Sequence, residues 1–147
     1  MKKRVASLYE RRDILFLVPA LQTEDGLWIE QGPCTTLPSE SDPTEIGRAV
    51  LETLSHSGEI IPHPTEWMSV DEDSPVLQAA GIKRWNSFQK GARSIDIGLY
   101  GEKLTLTPTK NVGSEGFDHL SDDVLLPGTA TATEVGQAVK QTLRLCE

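Results

Sequence analysis

Leu37-Pro38-Ser39-Glu40-Ser41-Asp42-Pro43-Thr44-Glu45-Ile46-Gly47-Arg48-Ala49-Val50-Leu51-Glu52-Thr53-Leu54 returns 89 residues later, without a gap. The second copy is Leu126-Pro127-Gly128-Thr129-Ala130-Thr131-Ala132-Thr133-Glu134-Val135-Gly136-Gln137-Ala138-Val139-Lys140-Gln141-Thr142-Leu143. Nine of the eighteen positions are identical, and Ile46 faces Val135 as a near match. Each copy reads as an extended Leu-Pro exit followed by a helix. Asp42 is suited to the N-cap, Pro43 to the first helical position and Glu45 to closing a capping box; Thr131, Ala132 and Glu134 repeat that design. Ile46, Ala49, Val50 and Leu54 fall at i, i+3, i+4 and i+8, one face of a helix, as do Val135, Ala138, Val139 and Leu143. Gly47 and Gly136 sit inside these helices, where glycine costs about 1 kcal/mol relative to alanine. Either another backbone approaches both closely, or the position is indifferent to its occupant.

Working outward, strand patterns precede each helix. In the first half they are Val5–Tyr9, Asp13–Leu21 and Leu27–Gln31, with Glu24-Asp25-Gly26 as the turn between the last two. In the second half Ser94–Tyr100 and Lys103–Thr107 flank Gly101-Glu102, and Ile95, Ile97 and Leu99 alternate with Asp96 and Gly98. Val124–Leu126 makes a short final strand. The expected fold is therefore α+β: a single domain, residues 1–147, of two pseudo-symmetric repeats, each of antiparallel strands followed by a helix. Repeat one covers about 1–55, a connecting segment about 56–82 and repeat two about 83–147. Neither repeat buries enough surface alone, so the two must pack together about a twofold axis. The connection holds Pro62, Pro64, Pro75 and the acidic run Asp71-Glu72-Asp73, with one short helix near Val76–Ala80. So long a loop in a compact domain is usually functional or mobile.

Composition narrows the role. The chain has 147 residues, a net charge of −8 and an apolar fraction of 37 %, consistent with a modest core under a large solvated surface. Residues 13–82 carry thirteen carboxylates against Arg48 alone, whereas residues 1–12 and 83–110 are net basic. An acidic surface repels phosphate backbones and attracts basic proteins, although it also serves plain solubility. No apolar run reaches the length of a membrane span, and Arg11, Arg12 and Asp13 follow the basic start where a signal peptide would need an apolar core. Cys34 and Cys146 stand far apart, as free thiols of a reducing compartment do. The expected location is the cytoplasm.

Chemistry is sparse. Gly113-Ser114-Glu115-Gly116 lacks the lysine and the following helix of a phosphate loop. His56, His63 and His119 with Cys34 and Cys146 show no zinc-ligand spacing. A pairing of Cys34 with a histidine has no activating context, and Cys146 reads as packed or frayed rather than reactive. Carboxylate runs such as Asp71-Glu72-Asp73 are solvated far more often than catalytic. No catalytic residue, metal or cofactor is expected. The stretch Lys83-Arg84-Trp85-Asn86-Ser87-Phe88-Gln89-Lys90 interleaves basic and aromatic residues as single-strand binders do. The competing and preferred reading buries Trp85 and Phe88, three apart, on one apolar face.

The same stretch carries a resemblance. Gly81-Ile82-Lys83-Arg84-Trp85, Phe88, Lys90-Gly91-Ala92, Thr107-Pro108-Thr109, Gly113 through Gly116-Phe117, the Glu134-Val135-Gly136 helix and the closing Leu145-Cys146-Glu147 resemble the contact-dependent growth inhibition immunity proteins, the CdiI group. The resemblance covers mainly residues 81–147; the first half enters through its echo of the second. It implies a cytosolic protein that binds the toxic C-terminal domain of a cognate delivered effector, commonly a nuclease, and blocks its active site or substrate path. The motif residues look architectural, so the resemblance brings no catalytic set. The twice-repeated plan is also similar to the Whirly single-stranded-nucleic-acid-binding fold, which implies a topology more than a function.

The leading expectation is an immunity protein, not an enzyme, with a basic toxin domain as partner and neither membrane nor nucleic acid. Charge and loop position nominate Asp71, Glu72 and Asp73 to meet toxin lysines and arginines, with Trp67 as an aromatic anchor. The alternative is a single-stranded nucleic-acid binder using the basic patch from Lys83 to Arg93.

Overall fold

Alternating side chains build the first hairpin. In the computed structural model, which describes residues 3–64 and 73–147, β1 (Lys3–Arg11) and β2 (Ile14–Thr23) pair antiparallel from Val5↔Ala20 to Arg11↔Ile14. Period two places Ala6, Leu8, Leu15 and Leu17 in one core cluster and Tyr9, Phe16 and Val18 in another. Arg12 and Asp13 form the connecting loop with φ of +50° and +63°. Two left-handed residues match the twist of a two-residue hairpin, so Asp13 belongs to the turn and not to the strand expected to start there.

The strands β3 (Trp28–Glu30) and β4 (Thr35–Pro38) both pair with β2, at its two ends. The Leu-Pro exit is thus a true strand. Helix α1 (Pro43–Ser55) follows, and β5 (Ile60–Ile61) returns parallel to the end of β2. Two short helices lead into the second half, α2 (Pro75–Ala80) and α3 (Trp85–Gln89). Ser74 caps α2 by accepting the Leu77 N–H at 3.2 Å, and Gly81 ends it at a φ of +69°. Then come β6 (Arg93–Tyr100), β7 (Lys103–Asn111), a 3₁₀ turn at Gly113–Glu115, β8 (Phe117–His119), β9 (Val124–Pro127) and helix α4 (Ala132–Leu145). The short β8 carried no signal that separated it from a loop.

The sheet runs β3-β2-β1-β6-β7-β8, with β4 and β5 also on β2 and β9 also on β7. Its registers keep one offset. Adding 89 to both members of the β2–β4 pairs yields the β7–β9 pairs, Lys103↔Pro127 through Leu106↔Val124. The same shift converts the β2–β3 pairs into Thr109↔His119, Lys110↔Asp118 and Asn111↔Phe117. At the centre β1 and β6 pair antiparallel, from Lys3↔Tyr100 to Glu10↔Arg93.

One face of this sheet is covered by α1 and α4. Ile46, Val50, Leu54, Val135, Val139 and Leu143 pack there on Leu8, Leu17, Ile97 and Leu106. Burial of each large side chain contributes about 1.5–3 kcal/mol. The helices touch backbone to backbone. A Cβ on Gly47 would lie 1.7 Å from the Ala132 carbonyl oxygen, and one on Gly136 would lie 1.7 Å from that of Pro43. Thr44 and Thr133 hydroxyls meet across the same contact at 2.7 Å. Both glycines are therefore demanded by close approach. The two N-caps differ, however. Thr131 and Glu134 form the full capping box, whereas the Asp42 side chain makes no cap hydrogen bond. There Pro43, with its preset φ, and the Asp42 carbonyl, which accepts the Ile46 N–H at 3.0 Å, begin the helix.

Candidate functional site: a cleft on the second sheet face

Among the described residues, only half of the opposite face of the sheet is covered. Val76 and Leu77 of α2 and Phe88 of α3 close over Tyr9, Phe16, Val18 and Ala92. Phe88 is fully buried and meets Phe16 and Tyr9 edge-on at 5.3 and 5.8 Å. Trp85 stacks on Phe88 at 5.3 Å. Both aromatics of the basic stretch thus pack on this cluster, Phe88 buried and Trp85 half-buried, while Lys83, Arg84, Lys90 and Arg93 stay exposed. The resembling motif around them is architectural. Gln89 donates to the Gly116 carbonyl at 2.7 Å, and Asn111 donates to the carbonyls of Gln89 and Ala92 at 2.7 and 3.0 Å.

Beyond α3 the face opens into a cleft of about 910 Å³. Alternate residues of β1 and β6, Ser7, Tyr9, Asp96 and Gly98 among them, form its floor; β3 supplies Trp28 and Glu30 on one side, and β8 supplies Phe117 and His119 on the other. The cleft falls at this place because positions 89 apart differ. Phe16 and Val18, which α2 and α3 cover, correspond to Thr105 and Thr107, which line the cleft, and Tyr9 corresponds to Gly98. The covered half is apolar and the open half small and polar.

Two polar pairs occupy the cleft. The Tyr9 hydroxyl donates to Glu30 Oε2 at 2.5 Å. Burial, and then the neighbouring Glu30 charge, push the Tyr9 phenol well above its ordinary value, so it stays a donor. Loss of hydration raises the Glu30 carboxyl too, opposed by the Tyr9 and Ser7 hydrogen bonds and reinforced by the charge of Asp96. Asp96 Oδ2 in turn pairs with His119 Nε2. Lys3, at the mouth, is the one lysine or arginine among the described lining residues.

Sequence reasoning missed this constellation. Asp96 was noted only as a polar alternation and His119 only as an isolated histidine. The signal was present in the 89-residue offset, which relates Glu30 to His119 and Ser7 to Asp96. Of the residues nominated from sequence, Trp67, Asp71 and Glu72 lie outside the described residues. Asp73 is exposed and directly precedes Ser74, the cap of α2, on the same side of the sheet as the cleft.

The thiols are quiet. Burial pushes Cys34 up to about 11, with the Glu30 charge adding to it, and raises Cys146 as well. Among the described residues, no three His, Cys, Asp or Glu side chains gather as metal ligands, and no helix is long and apolar enough to cross a membrane.

Comparison with known proteins adds the family. No curated protein is significantly similar in sequence. Among solved structures, a Neisseria meningitidis protein of unknown function superposes with a TM-score of 0.77 at 21 % identity, over 99 % of this chain and 96 % of that one. A chain of the CdiA-CT/CdiI toxin and immunity complex from Yersinia pseudotuberculosis gives the same TM-score and identity, over 100 % of this chain and 99 % of that one. At such identity these matches speak to the fold. The family model for CdiI, the CDI immunity protein, matches residues 22–146, which hold the strands from β3 to β9 and both long helices, and the chain therefore belongs to the CDI immunity protein family.

Proposed function

We propose that this protein binds the toxic C-terminal domain of a cognate contact-dependent growth inhibition effector in the cytoplasm and neutralises it by stoichiometric occupation, turning over no substrate. The family match over residues 22–146 carries this proposal. The toxin domain is basic and cuts nucleic acid. Support for that comes from the thirteen carboxylates set against one arginine in residues 13–82, a field that speeds capture of a basic partner. Asp71, Glu72 and Asp73 meet its lysines and arginines, and Trp67 anchors the contact. The test is to express the toxin domain encoded beside this gene and measure growth and affinity. Co-expression should restore growth, and replacing Asp71, Glu72 and Asp73 by lysine should slow association at low salt. Unprotected growth, with no complex on gel filtration, would discard the proposal.

The scaffold is proposed to be one domain of two pseudo-symmetric repeats, about 1–55 and 83–147 joined by 56–82, in a Whirly-like arrangement. The constant offset of 89 in the β2–β3, β2–β4, β7–β8 and β7–β9 registers supports it, as do the reciprocal contacts of Gly47 and Gly136.

A further inference from the structure

We infer that the cleft between β3 and β8 is a receptor for an arginine or lysine side chain presented by the protein partner, with Glu30 and Asp96 as its anionic floor. This rests on the proposal that the protein binds a basic toxin, and it adds a place and a chemistry to that contact.

Four observations lead here. First, the chain's own α2 and α3 show how this sheet face is normally closed, by inserting apolar side chains over Tyr9, Phe16 and Val18. Among the described residues the remaining half has no such cover, and it replaces those side chains with Gly98, Thr105 and Thr107. That floor is too polar for another apolar plug, and leaves room above Glu30 and Asp96. Second, Glu30 is half-buried, accepts a hydrogen bond from the Tyr9 hydroxyl and, among the described residues, has no cation bonded to it. An approaching guanidinium would supply the charge that burial denies it, and charge-assisted pairs in such surroundings are the strong ones. Third, the mouth is aromatic. Trp28 is 36 % and Tyr100 59 % exposed, large rings left at the rim where a cation can lie over a face. Fourth, a second hollow of about 470 Å³ shares Lys3, Trp28 and Tyr100 and runs out to Glu59 and the 67 %-exposed Ile60. The surface around the cleft is thus long enough to seat a loop rather than a free ion. Lys3 opposes a cation but lies at the rim, and Asp96 already shares one oxygen with the His119 ring, so Glu30 is the carboxylate most open to an incoming cation. Nucleic acid would bring phosphates against two carboxylates, which the charge disfavours.

Two measurements decide it on the full chain. In the first, N-acetyl-argininamide is titrated while the Trp28 indole and His119 ring resonances are followed. Saturable shifts in the millimolar range are expected. They should vanish in the Glu30→Gln/Asp96→Asn double variant, which keeps hydrogen-bonding shape at both positions, and be absent with N-acetyl-alaninamide. Shifts caused instead by a short oligothymidylate, or none with the arginine probe, would overturn the inference. In the second, affinity for the neighbouring toxin domain should fall at least about 30-fold in the double variant while its thermal midpoint does not drop. Toxin binding within threefold of wild type would remove the cleft from the interface and leave the immunity role standing. Failure of wild type to bind the toxin would instead sink that role, and the arginine titration would still decide the cleft.

Discussion

Glu30 sets the behaviour of the molecule at the residue scale. Its carboxyl titrates above its unfolded value, chiefly because it is desolvated. In that situation the folded chain holds the proton more tightly than the unfolded chain. Stability is then lost as pH rises from the unfolded value through the folded one, and is not regained at higher pH. Glu30→Gln should therefore have a higher urea midpoint than wild type at pH 8, and the difference should shrink towards pH 4. An unchanged difference across that range would show that Glu30 is solvated. Tyr9→Phe tests the partner. Removing the donor to a withdrawn carboxylate should destabilise by about 1–3 kcal/mol and move the Glu30 titration further up, read by carboxyl carbon resonance. Most of the core residues in these strands could be named from alternation. Glu30 could not be marked as special, because one acidic residue in a half-buried strand looks like any other until its neighbours are known.

At the scale of elements, the two long helices show how far local rules reach. Capping residues, Pro43 and the 3.6-residue spacing located both within a residue or two. Their shared glycines left close approach and indifference both open, and the Cβ positions decide for a contact on the opposing carbonyls. Alanine at Gly47 or Gly136 gains helix propensity, about 1 kcal/mol, yet must push two backbones apart. A net loss of about 2 kcal/mol or more is expected in denaturant melts; a gain would mean that the helices slide freely. The caps themselves should respond unequally. Thr131→Ala should cost about 1 kcal/mol, and Asp42→Ala distinctly less, since Asp42 makes no cap hydrogen bond. The Arg12-Asp13 turn was hidden, because nothing in that pair announces left-handed backbone. Replacing it with Asn-Gly should raise stability by about 1 kcal/mol, measured the same way.

For the molecule as a whole, the two halves share one sheet and one core. β1 pairs with β6 along its length, and α1 and α4 close on one another over a common core. A fragment of residues 83–147 should show no cooperative unfolding transition, and mixing it with residues 1–82 should restore one; an independent transition would make the halves separate domains. The same assembly brings Glu30 of the acidic first half and Asp96 of the second half to one cleft.

The principal strands, the 89-residue recurrence, the placement of the two long helices and the inward turn of Trp85 and Phe88 could be read from residues in line, whereas β5, β8 and helix α3 could not. Each of the legible features depends on periodicity, capping or spacing over a few turns of chain, and such interactions are local. The cleft could not. Glu30, Asp96 and His119 meet only because β1 pairs with β6 across some ninety residues and because α2 and α3 stop halfway over the sheet. Which half of a sheet face is covered depends on long-range packing, and no window of sequence contains the competing surfaces.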